Sequence, residues 1–290
     1  MQEVKALLVF CEGSHDVAFV QQVFKLCLGF KTVEWKFSEY PAPFQDLFKT
    51  SVQHHAAKDL SLDMARKFFL PDCVLQKEAY LVLIFNAGGS EQTDKVKLLL
   101  KNFLALLEQS AIFPNDATAI VSQAYYLFLY DADSIGTTVL FNKIKQDFSS
   151  IEDEPRWSFS DWRFLDNNPL GAIAENKAAY IWCTNPQNGT LEDIILPMFE
   201  KDQEKIIKKA TDFIDSDIFV WETNDSNLKH QIAAIAKRKK AIMTCAGQRK
   251  KTGSSMNVII SQSNLINKNT FLNDTNVKAF SDFIKAFLGL

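Results

Sequence analysis

Cysteine is scarce in this sequence, and none of the cysteines is spaced as a metal site or a disulfide framework requires. The five cysteines are scattered over 290 residues, with no C-x-x-C pair and no histidine at ligand spacing. Most of them lie in apolar runs, where cysteine usually behaves as a small buried hydrophobe. We therefore expect neither structural zinc nor disulfides, and a reducing, cytoplasmic setting fits this pattern best.

Long apolar runs and an excess of basic residues are also missing. No segment approaches the roughly 18 apolar residues of a transmembrane helix, and the apolar run near the N-terminus is too short for the core of a signal peptide. No membrane partner is therefore expected. The net charge of −3 lacks the overall basic signature of many non-specific nucleic-acid binders, although a local basic patch is enough for such binding.

The apolar pattern alternates between strand-like and helix-like segments, which predicts an α/β fold with a parallel sheet flanked by helices. Strands that are buried on both faces of a sheet are continuous apolar runs. The sequence contains such runs at residues 5–11, 79–85, 124–130 and 178–183. A helix with one apolar face is predicted after each of them.

No linker, internal repeat or low-complexity tract divides the chain, so we predict one elaborated domain over residues 1–290. Its core is expected over about 4–200, followed by a helical C-terminal extension over about 201–290. Residues 39–76 contain several prolines and are predicted to be an insertion after the first helix. Residues 149–175 are predicted to be loop-like. Within the extension, the patterns predict a basic helix, a strand and an amphipathic last helix, over 227–245, 257–260 and 276–287 respectively.

Acidic residues stand after three of the predicted strands. Glu12 follows the first strand, Asp131 and Asp133 follow the third, and Glu192 lies past the fourth. In an open parallel sheet, ligands bind outside the carboxyl ends of the strands, so these carboxylates can converge there. Clustered carboxylates repel one another unless a cation neutralises them, and oxygen ligands suit Mg²⁺ before Ca²⁺ or Mn²⁺. The sequence therefore predicts an acidic site for a divalent ion at this edge of the sheet.

Several segments resemble the motifs of Toprim domains. Residues 11–16 (CEGSHD) resemble the first motif, in which Glu-Gly is followed by Asp at the head of a helix, and residues 131–136 (DADSIG) resemble the Asp-x-Asp motif. Residues 86–89 (NAGG) resemble the Gly-Gly turn between the two motifs. Residues 189–193 (GTLED) resemble a later motif of single-domain Toprim proteins and of nucleases of the overcoming-lysogenisation-defect class. The resemblance extends discontinuously over about 4–200 and implies a small parallel sheet between helices.

The resemblance also implies roles for individual residues. It implies that Glu12, Asp131 and Asp133 bind Mg²⁺, or Mn²⁺ in its place. Asp16 would support a metal, as in two-metal nucleases, and Glu192 would be a further ligand on the second metal. Glu12 would also be a catalytic group, and Lys240 would be the catalytic lysine that nucleases of this class place near the scissile phosphate. No accompanying ATPase domain, tyrosine-nucleophile domain or primase zinc-binding element is visible in the sequence. The topoisomerase and complete primase interpretations therefore lose most of their weight.

Each motif also has a purely structural interpretation. The first could be a strand–turn–helix junction in which Asp16 complements the positive end of the helix dipole. The Asp131-x-Asp133 pair could be a solvated loop, and Glu192 could be an ordinary carboxylate at a helix N-terminus. His15 is expected to be a solvated loop residue. The metal site rests on the two motifs occurring in order, each after a buried strand.

One stretch of the C-terminal extension, residues 237–251, is strongly basic. It begins with four consecutive basic residues and ends with Arg249, Lys250 and Lys251. Its basic residues could simply be the solvated face of a helix and the loop after it, without any binding function. Next to a phosphodiester, however, it would supply salt-sensitive contacts to the nucleic-acid backbone, and on that basis we assign nucleic-acid binding to these last three residues.

The sequence therefore predicts a Mg²⁺-dependent phosphoryl-transfer protein, nuclease-like, that acts on DNA or RNA phosphodiesters. One alternative is a primase-like nucleotidyl transferase that uses the same metal on a nucleoside triphosphate. Another is a Toprim-fold module that binds metal or nucleotide without turnover. Catalytic competence, the choice between DNA and RNA, the number of metal ions and the oligomeric state stay open at this point.

Overall fold

The structure is a computed structural model that describes residues 2–56, 70–89, 92–112, 119–166, 168–184, 188–216 and 226–290. Over these residues the chain forms a mixed α/β structure, in which an eight-stranded sheet is flanked by helices on both faces. The predicted fold class is confirmed, including the insertion after the first helix and the helical C-terminal region. Within the described ranges, no helix combines the length and the hydropathy needed to cross a membrane.

The sheet has a parallel centre and antiparallel edges. Its strands are β1 (Gln2–Cys11), β2 (Lys31–Thr32), β3 (Cys73–Lys77), β4 (Tyr80–Asn86), β5 (Ala119–Asp131), β6 (Arg163–Leu165), β7 (Asn168–Ala174) and β8 (Lys177–Trp182). They are ordered β2-β3-β4-β1-β5-β8-β7-β6. The central strands β4, β1, β5 and β8 run parallel, and they are the four continuous apolar runs of the sequence. The outer strands pair antiparallel on both sides.

The helices form one layer on each face of the sheet. They are α1 (Ser14–Leu26), α2 (Phe44–Ala56), α3 (Thr93–Ile112), α4 (Thr137–Asp147), α5 (Leu191–Ile214), α6 (Leu228–Gln248), α7 (Met256–Gln262), α8 (Lys268–Asn273) and α9 (Thr275–Leu288), with a 3₁₀ turn at Phe37–Glu39. Side chains of a strand alternate between the two faces. On β1, Leu7 and Val9 therefore point into the core beneath α1 and α5–α9, while Leu8 and Phe10 point into the core beneath α2, α3 and α4.

The strand order creates a crevice between β1 and β5. From β1 the chain continues to β4 on one side, and then returns to β5 on the other side of β1. When the connections that follow two neighbouring strands leave in opposite directions, a crevice opens at the carboxyl ends of those strands. Ligands of open α/β sheets bind in such a crevice. Cys11 at the end of β1 lies beside Leu129 of β5. The residues that follow both strands therefore emerge at the same crevice.

Two predicted elements were wrong. Residues 257–260, predicted as a strand, lie in α7, where Met256 and Ile259 bury the same helix face. A short apolar run has too few residues for its period to be recognised. Residues 149–175, predicted as loop-like, contain β6 and β7. Pro169 stands near the start of β7, where a strand tolerates proline. A Cβ at Gly171 would come within 2.4 Å of the Phe283 ring, so close packing on α9 requires this glycine.

Candidate metal centre

Glu12 leaves the end of β1 and reaches the end of β5. Its Oε2 accepts a hydrogen bond of 3.1 Å from the backbone N–H of Asp131. The two residues are 119 positions apart in the chain, and the parallel pairing of β1 with β5 brings them together. The structure therefore places the Glu12 carboxylate against the backbone of Asp131, where β5 ends.

Asp16 joins this pair from the first turn of α1. The backbone N–H of Gly13 donates a hydrogen bond of 2.9 Å to its Oδ2, which fixes the carboxyl group over the turn between β1 and α1. Its Oδ1 is buried and has no hydrogen-bond partner. Burial, together with the charges of Glu12 and Glu192, raises the pKa of Asp16 to about 7. Asp16 is therefore more than a helix-dipole carboxylate, since it faces other acids.

Gly189 holds the segment before α5 against the end of β5. The backbone N–H of Asp133 donates to the Gly189 carbonyl at 2.9 Å, and the Gly189 N–H donates back to the Asp133 carbonyl at 3.2 Å. Gly189 has a φ of 134°, and a Cβ there would come within 2.6 Å of the Thr184 backbone nitrogen. Only glycine fits this position. The first residue of α5, Leu191, then donates its N–H to Asp131 Oδ1 at 2.8 Å.

This attachment delivers Glu192 into the same cluster. Glu192 is only 2% exposed, and its Oε2 is buried without a hydrogen-bond partner. Burial and the charges of Asp16, Glu192 and Glu12, in that order, hold the pKa of Asp131 well above its usual range. We call Glu12, Asp16, Asp131 and Glu192 the acidic cluster, because each of them raises the pKa of another member or has its own pKa raised by one.

Asp133 lies at the rim of the acidic cluster. Its backbone adopts a left-handed φ of 46°, which aspartate tolerates better than most residues. Burial raises the pKa of its carboxyl group and Glu192 adds to the effect, while the ammonium groups of Lys240 and Lys229 oppose it. Asp133 therefore stands between the acidic cluster and the lysines of α6.

Lys240 is the cation that approaches the acidic cluster from α6. Its Nζ lies 3.4 Å from Glu192 Oε1, and its side chain is 41% exposed. Burial disfavours its charged form, but the carboxylates of Glu192 and Asp131 outweigh that effect and raise the pKa of Lys240. The lysine predicted to be catalytic therefore faces the predicted metal ligands.

The prediction that His15 is a solvated loop residue was wrong. His15 belongs to the first turn of α1, its side chain is 27% exposed, and its Nδ1 lies 3.8 Å from Glu192 Oε1. Burial and the charge of Lys240 lower the pKa of His15, and Glu192 partly offsets them. The sequence did contain an indication of this position, because His15 directly precedes Asp16, a predicted metal ligand in the first turn of a helix.

At the start of the basic stretch, basic side chains are paired with acids in α5 or directly after its end. Arg238 forms a two-pronged ion pair with Asp215, and Lys239 pairs with Asp193. Arg249 and Lys250 are exposed and Lys251 is partly buried, all beyond the end of α6. The last residue of α6 is about 12 Å along the helix axis from Lys240, at 1.5 Å per residue. The structure therefore brings Lys240 to the acidic cluster but not these last three residues.

The acidic cluster offers the donor atoms that a hard divalent ion prefers. All its side-chain donors are carboxylate oxygens, and the buried Asp16 Oδ1 and Glu192 Oε2 lack hydrogen-bond partners. A buried polar atom without a partner costs about 1–3 kcal/mol, which a bound cation would offset. As positioned, however, no three His, Cys, Asp or Glu side chains of the described residues can hold one ion between them. The acidic cluster therefore has the type of donor atom that binds a divalent ion, but its side chains are not already arranged around one ion position.

The comparisons with known proteins add no assignment to this site. No protein-family model matches the chain, and no curated protein matches it significantly. The chain is similar to the crystal structure of a hypothetical protein from Pyrococcus horikoshii OT3 at 13% sequence identity. That match covers 99% of this chain and 96% of the other, with a TM-score of 0.48.

Proposed function

We propose that the protein is a Mg²⁺- or Mn²⁺-dependent phosphoryl-transfer protein, nuclease-like, that acts on phosphodiesters of DNA or RNA. The observation that carries the proposal is the acidic cluster itself, with two buried carboxylate oxygens that have no hydrogen-bond partner. The cluster occupies the crevice between β1 and β5, where open α/β sheets bind ligands. The resemblance of its segments to Toprim motifs supports the same chemistry.

The residues around the acidic cluster divide the work. Glu12, Asp16, Asp131 and Glu192 would hold the ion, with Asp133 completing the set from the rim. A bound divalent ion supplies charge neutralisation and lowers the pKa of water. The ammonium of Lys240, which lies 3.4 Å from Glu192, would stabilise negative charge on a phosphate oxygen. The N-termini of α1 and α5 both border the cluster, and helix N-termini favour anionic groups such as phosphate.

The function is tested by metal-dependent cleavage. The purified full chain is incubated with supercoiled plasmid, labelled single-stranded DNA and labelled RNA, in EDTA, Mg²⁺ or Mn²⁺. We expect nicking or shortening of at least one substrate only when a divalent ion is present. Asp131→Asn is the matched control, because its amide oxygen can still accept the hydrogen bond of Leu191 while one negative charge is lost. Equal cleavage by this variant would mean that the activity belongs to a contaminant.

A second candidate is a Toprim-fold module that binds metal or nucleotide without turnover. One observation favours it: Lys240 lies 3.4 Å from Glu192, so its ammonium already partly neutralises the acidic cluster. The module would raise its melting temperature in Mg²⁺ or nucleotide and cleave none of the nucleic acids. The primase-like nucleotidyl transferase is distinguished by release of pyrophosphate from nucleoside triphosphates in the presence of a template.

Nucleic acid is the partner that the proposal requires. Arg249 and Lys250 are exposed, and ion pairs between α5 and α6 neutralise Arg238 and Lys239 instead. Cations without acidic neighbours are the ones free to contact phosphates. The end of the basic stretch, with Lys251, therefore remains our proposed contact to the nucleic-acid backbone, away from the acidic cluster.

A further inference from the structure

The side chain of His15 lies beside the acidic cluster, next to Glu192. Within the part of the chain that the structure describes, the imidazole has no hydrogen-bond partner, and its Nδ1 stands 3.8 Å from Glu192 Oε1. That separation is too long for a hydrogen bond. The neighbouring Asp16 presents a buried oxygen without a partner, and so does Glu192. The imidazole nitrogen of His15 therefore borders the carboxylate of Glu192, a member of the acidic cluster.

The 3.8 Å separation is compatible with two ligands of a single ion. Ligands that each lie about 2.1 Å from a common ion are at most about 4.2 Å apart. Lys240 also approaches Glu192 Oε1, but its ammonium is a point charge on a flexible and partly exposed stem, so it can move into solvent.

A nitrogen ligand changes which ion such a site prefers. Mg²⁺ selects oxygen ligands and seldom binds imidazole, whereas first-row transition ions accept both donor types. Mn²⁺ combines a preference for carboxylates with tolerance of histidine. A mostly carboxylate site with one imidazole therefore distinguishes Mn²⁺ from Mg²⁺ through that imidazole alone.

We propose that His15 is an additional metal ligand and that it makes the acidic cluster prefer Mn²⁺ to Mg²⁺. The inference rests on the proposed function, since it needs the acidic cluster to bind a divalent ion. It goes beyond that function because it assigns a nitrogen ligand and an ion preference to the site. It also gives a role to a residue that the Toprim resemblance leaves without one.

The test measures binding of each ion alone to the purified full chain. Titration calorimetry gives the dissociation constants of Mn²⁺ and Mg²⁺, and pulsed electron paramagnetic resonance detects a nitrogen bound directly to Mn²⁺. We expect a directly bound nitrogen in the unaltered protein and its loss in His15→Gln. The same change should weaken Mn²⁺ binding roughly tenfold or more and Mg²⁺ binding less than about twofold.

A second histidine provides the control. His230→Gln removes an exposed imidazole of α6 and should leave the nitrogen signal and both dissociation constants unchanged. The melting temperature of each variant in EDTA shows that it is folded. If Mn²⁺ binds without a directly bound nitrogen, or if His15→Gln weakens both ions by the same factor, the inference is overturned while the metal site stands. If neither ion binds the unaltered protein, the proposed function is overturned as well.

Discussion

The acidic cluster and the basic stretch are both concentrations of like charge, but the fold treats them in opposite ways. The four acids of the cluster come from three separate parts of the chain and are gathered into one partly buried space. The first basic residues of the basic stretch are consecutive, and the helix distributes them around its surface. Arg238 and Lys239 then pair with individual acids, Asp215 directly after α5 and Asp193 within it. Like charge is concentrated in one region and neutralised pair by pair in the other.

The two arrangements differ in what they cost the fold. Exposed ion pairs contribute about 0–1 kcal/mol and do not disturb the fold. Buried carboxylates that face each other are unfavourable, because burial and repulsion both oppose their charged forms. A fold that keeps such a cluster, and uses Gly189 to bring Glu192 into it, carries a cost that a bound cation would offset. Each of the following predictions tests one side of this comparison.

The largest effect is expected from Gly189→Ala, which breaks the attachment of α5 to β5. The new Cβ would meet the Thr184 backbone nitrogen at 2.6 Å, on a backbone with a φ of 134°. We expect a loss of roughly 3 kcal/mol in the free energy of unfolding, measured by urea denaturation. Gly253→Ala is the control, because Gly253 also has a positive φ of 74° but open space around it. Its cost should be about 1 kcal/mol, and equal losses would contradict the assigned role of Gly189.

The second prediction is that the metal-free protein becomes more stable as the pH falls. The pKa of Asp16 is about 7 in the folded chain, against an ordinary value of 3.8. Between these values the folded state binds more protons than the unfolded state, so the free energy of unfolding decreases as pH rises. Asp131 acts in the same direction. His15 acts in the opposite direction below its ordinary pKa of 6.5, because its folded pKa is lowered.

The measurement is urea denaturation in EDTA at pH 5.5 and pH 8. Asp16 alone should make the protein roughly 2 kcal/mol more stable at the lower pH. Asp16→Asn should reduce that difference, because the amide does not titrate. If the protein is instead more stable at pH 8, or if the variant keeps the full difference, the carboxylates are not held close together in solution.

The sequence predicted the strand-end carboxylates because their surroundings are locally encoded. Glu12 and Asp131 each end an uninterrupted apolar run, and such runs form the buried parallel strands whose ends must meet. Glu192 was also predicted, but its approach to Asp131 depends on the backbone bridge between Gly189 and Asp133. No local pattern specifies that bridge. The sequence therefore predicted which four carboxylates belong to the acidic cluster, but not how they are arranged in space.

The basic stretch was less predictable because its partners lie on another helix. The pairing of Arg238 with Asp215 depends on how α5 and α6 pack, and charge patterns within α6 do not contain that information. The position of His15 depends in the same way on α5 delivering Glu192 beside it. Residues 257–260 failed for a different reason, since four residues cannot distinguish a strand period from a helix period. The ion pair of Arg238 and the position of His15 therefore depend on packing between elements rather than on a local pattern.

A smaller effect is expected from Lys240→Met, which removes the cation nearest the acidic cluster. Without metal the variant should lose about 1 kcal/mol in the free energy of unfolding, since Glu192 loses a partly exposed partner. Its melting temperature should rise more in Mg²⁺ than that of the unaltered protein, because no ammonium competes for Glu192. Lys239→Met removes the adjacent cation, which pairs with Asp193, and should leave the response to Mg²⁺ unchanged. Identical Mg²⁺ responses in the two variants would show that Lys240 does not compete with the ion.

The smallest effect on stability is expected from reversing the charges at the end of the basic stretch. Lys250→Glu combined with Lys251→Glu alters side chains beyond the end of α6, so the free energy of unfolding should change by less than about 0.5 kcal/mol. Nucleic-acid binding should weaken alike for all sequences. Its dependence on salt should become flatter, by about 0.9 in the logarithmic slope for each lost contact to a phosphate of duplex DNA.

The control for this reversal is a pair of adjacent lysines on α5, both of them exposed. Lys208→Glu with Lys209→Glu makes the same change in net charge on α5, so it measures the effect of overall charge on binding. A local contact predicts that the reversal at Lys250 and Lys251 lowers the salt slope more than the control does. Equal slopes in the two double variants would mean that the end of the basic stretch only solvates the helix and the loop after it. The nucleic-acid contact would then have to be sought at Lys240 and Lys229, the lysines whose charges reach Asp133.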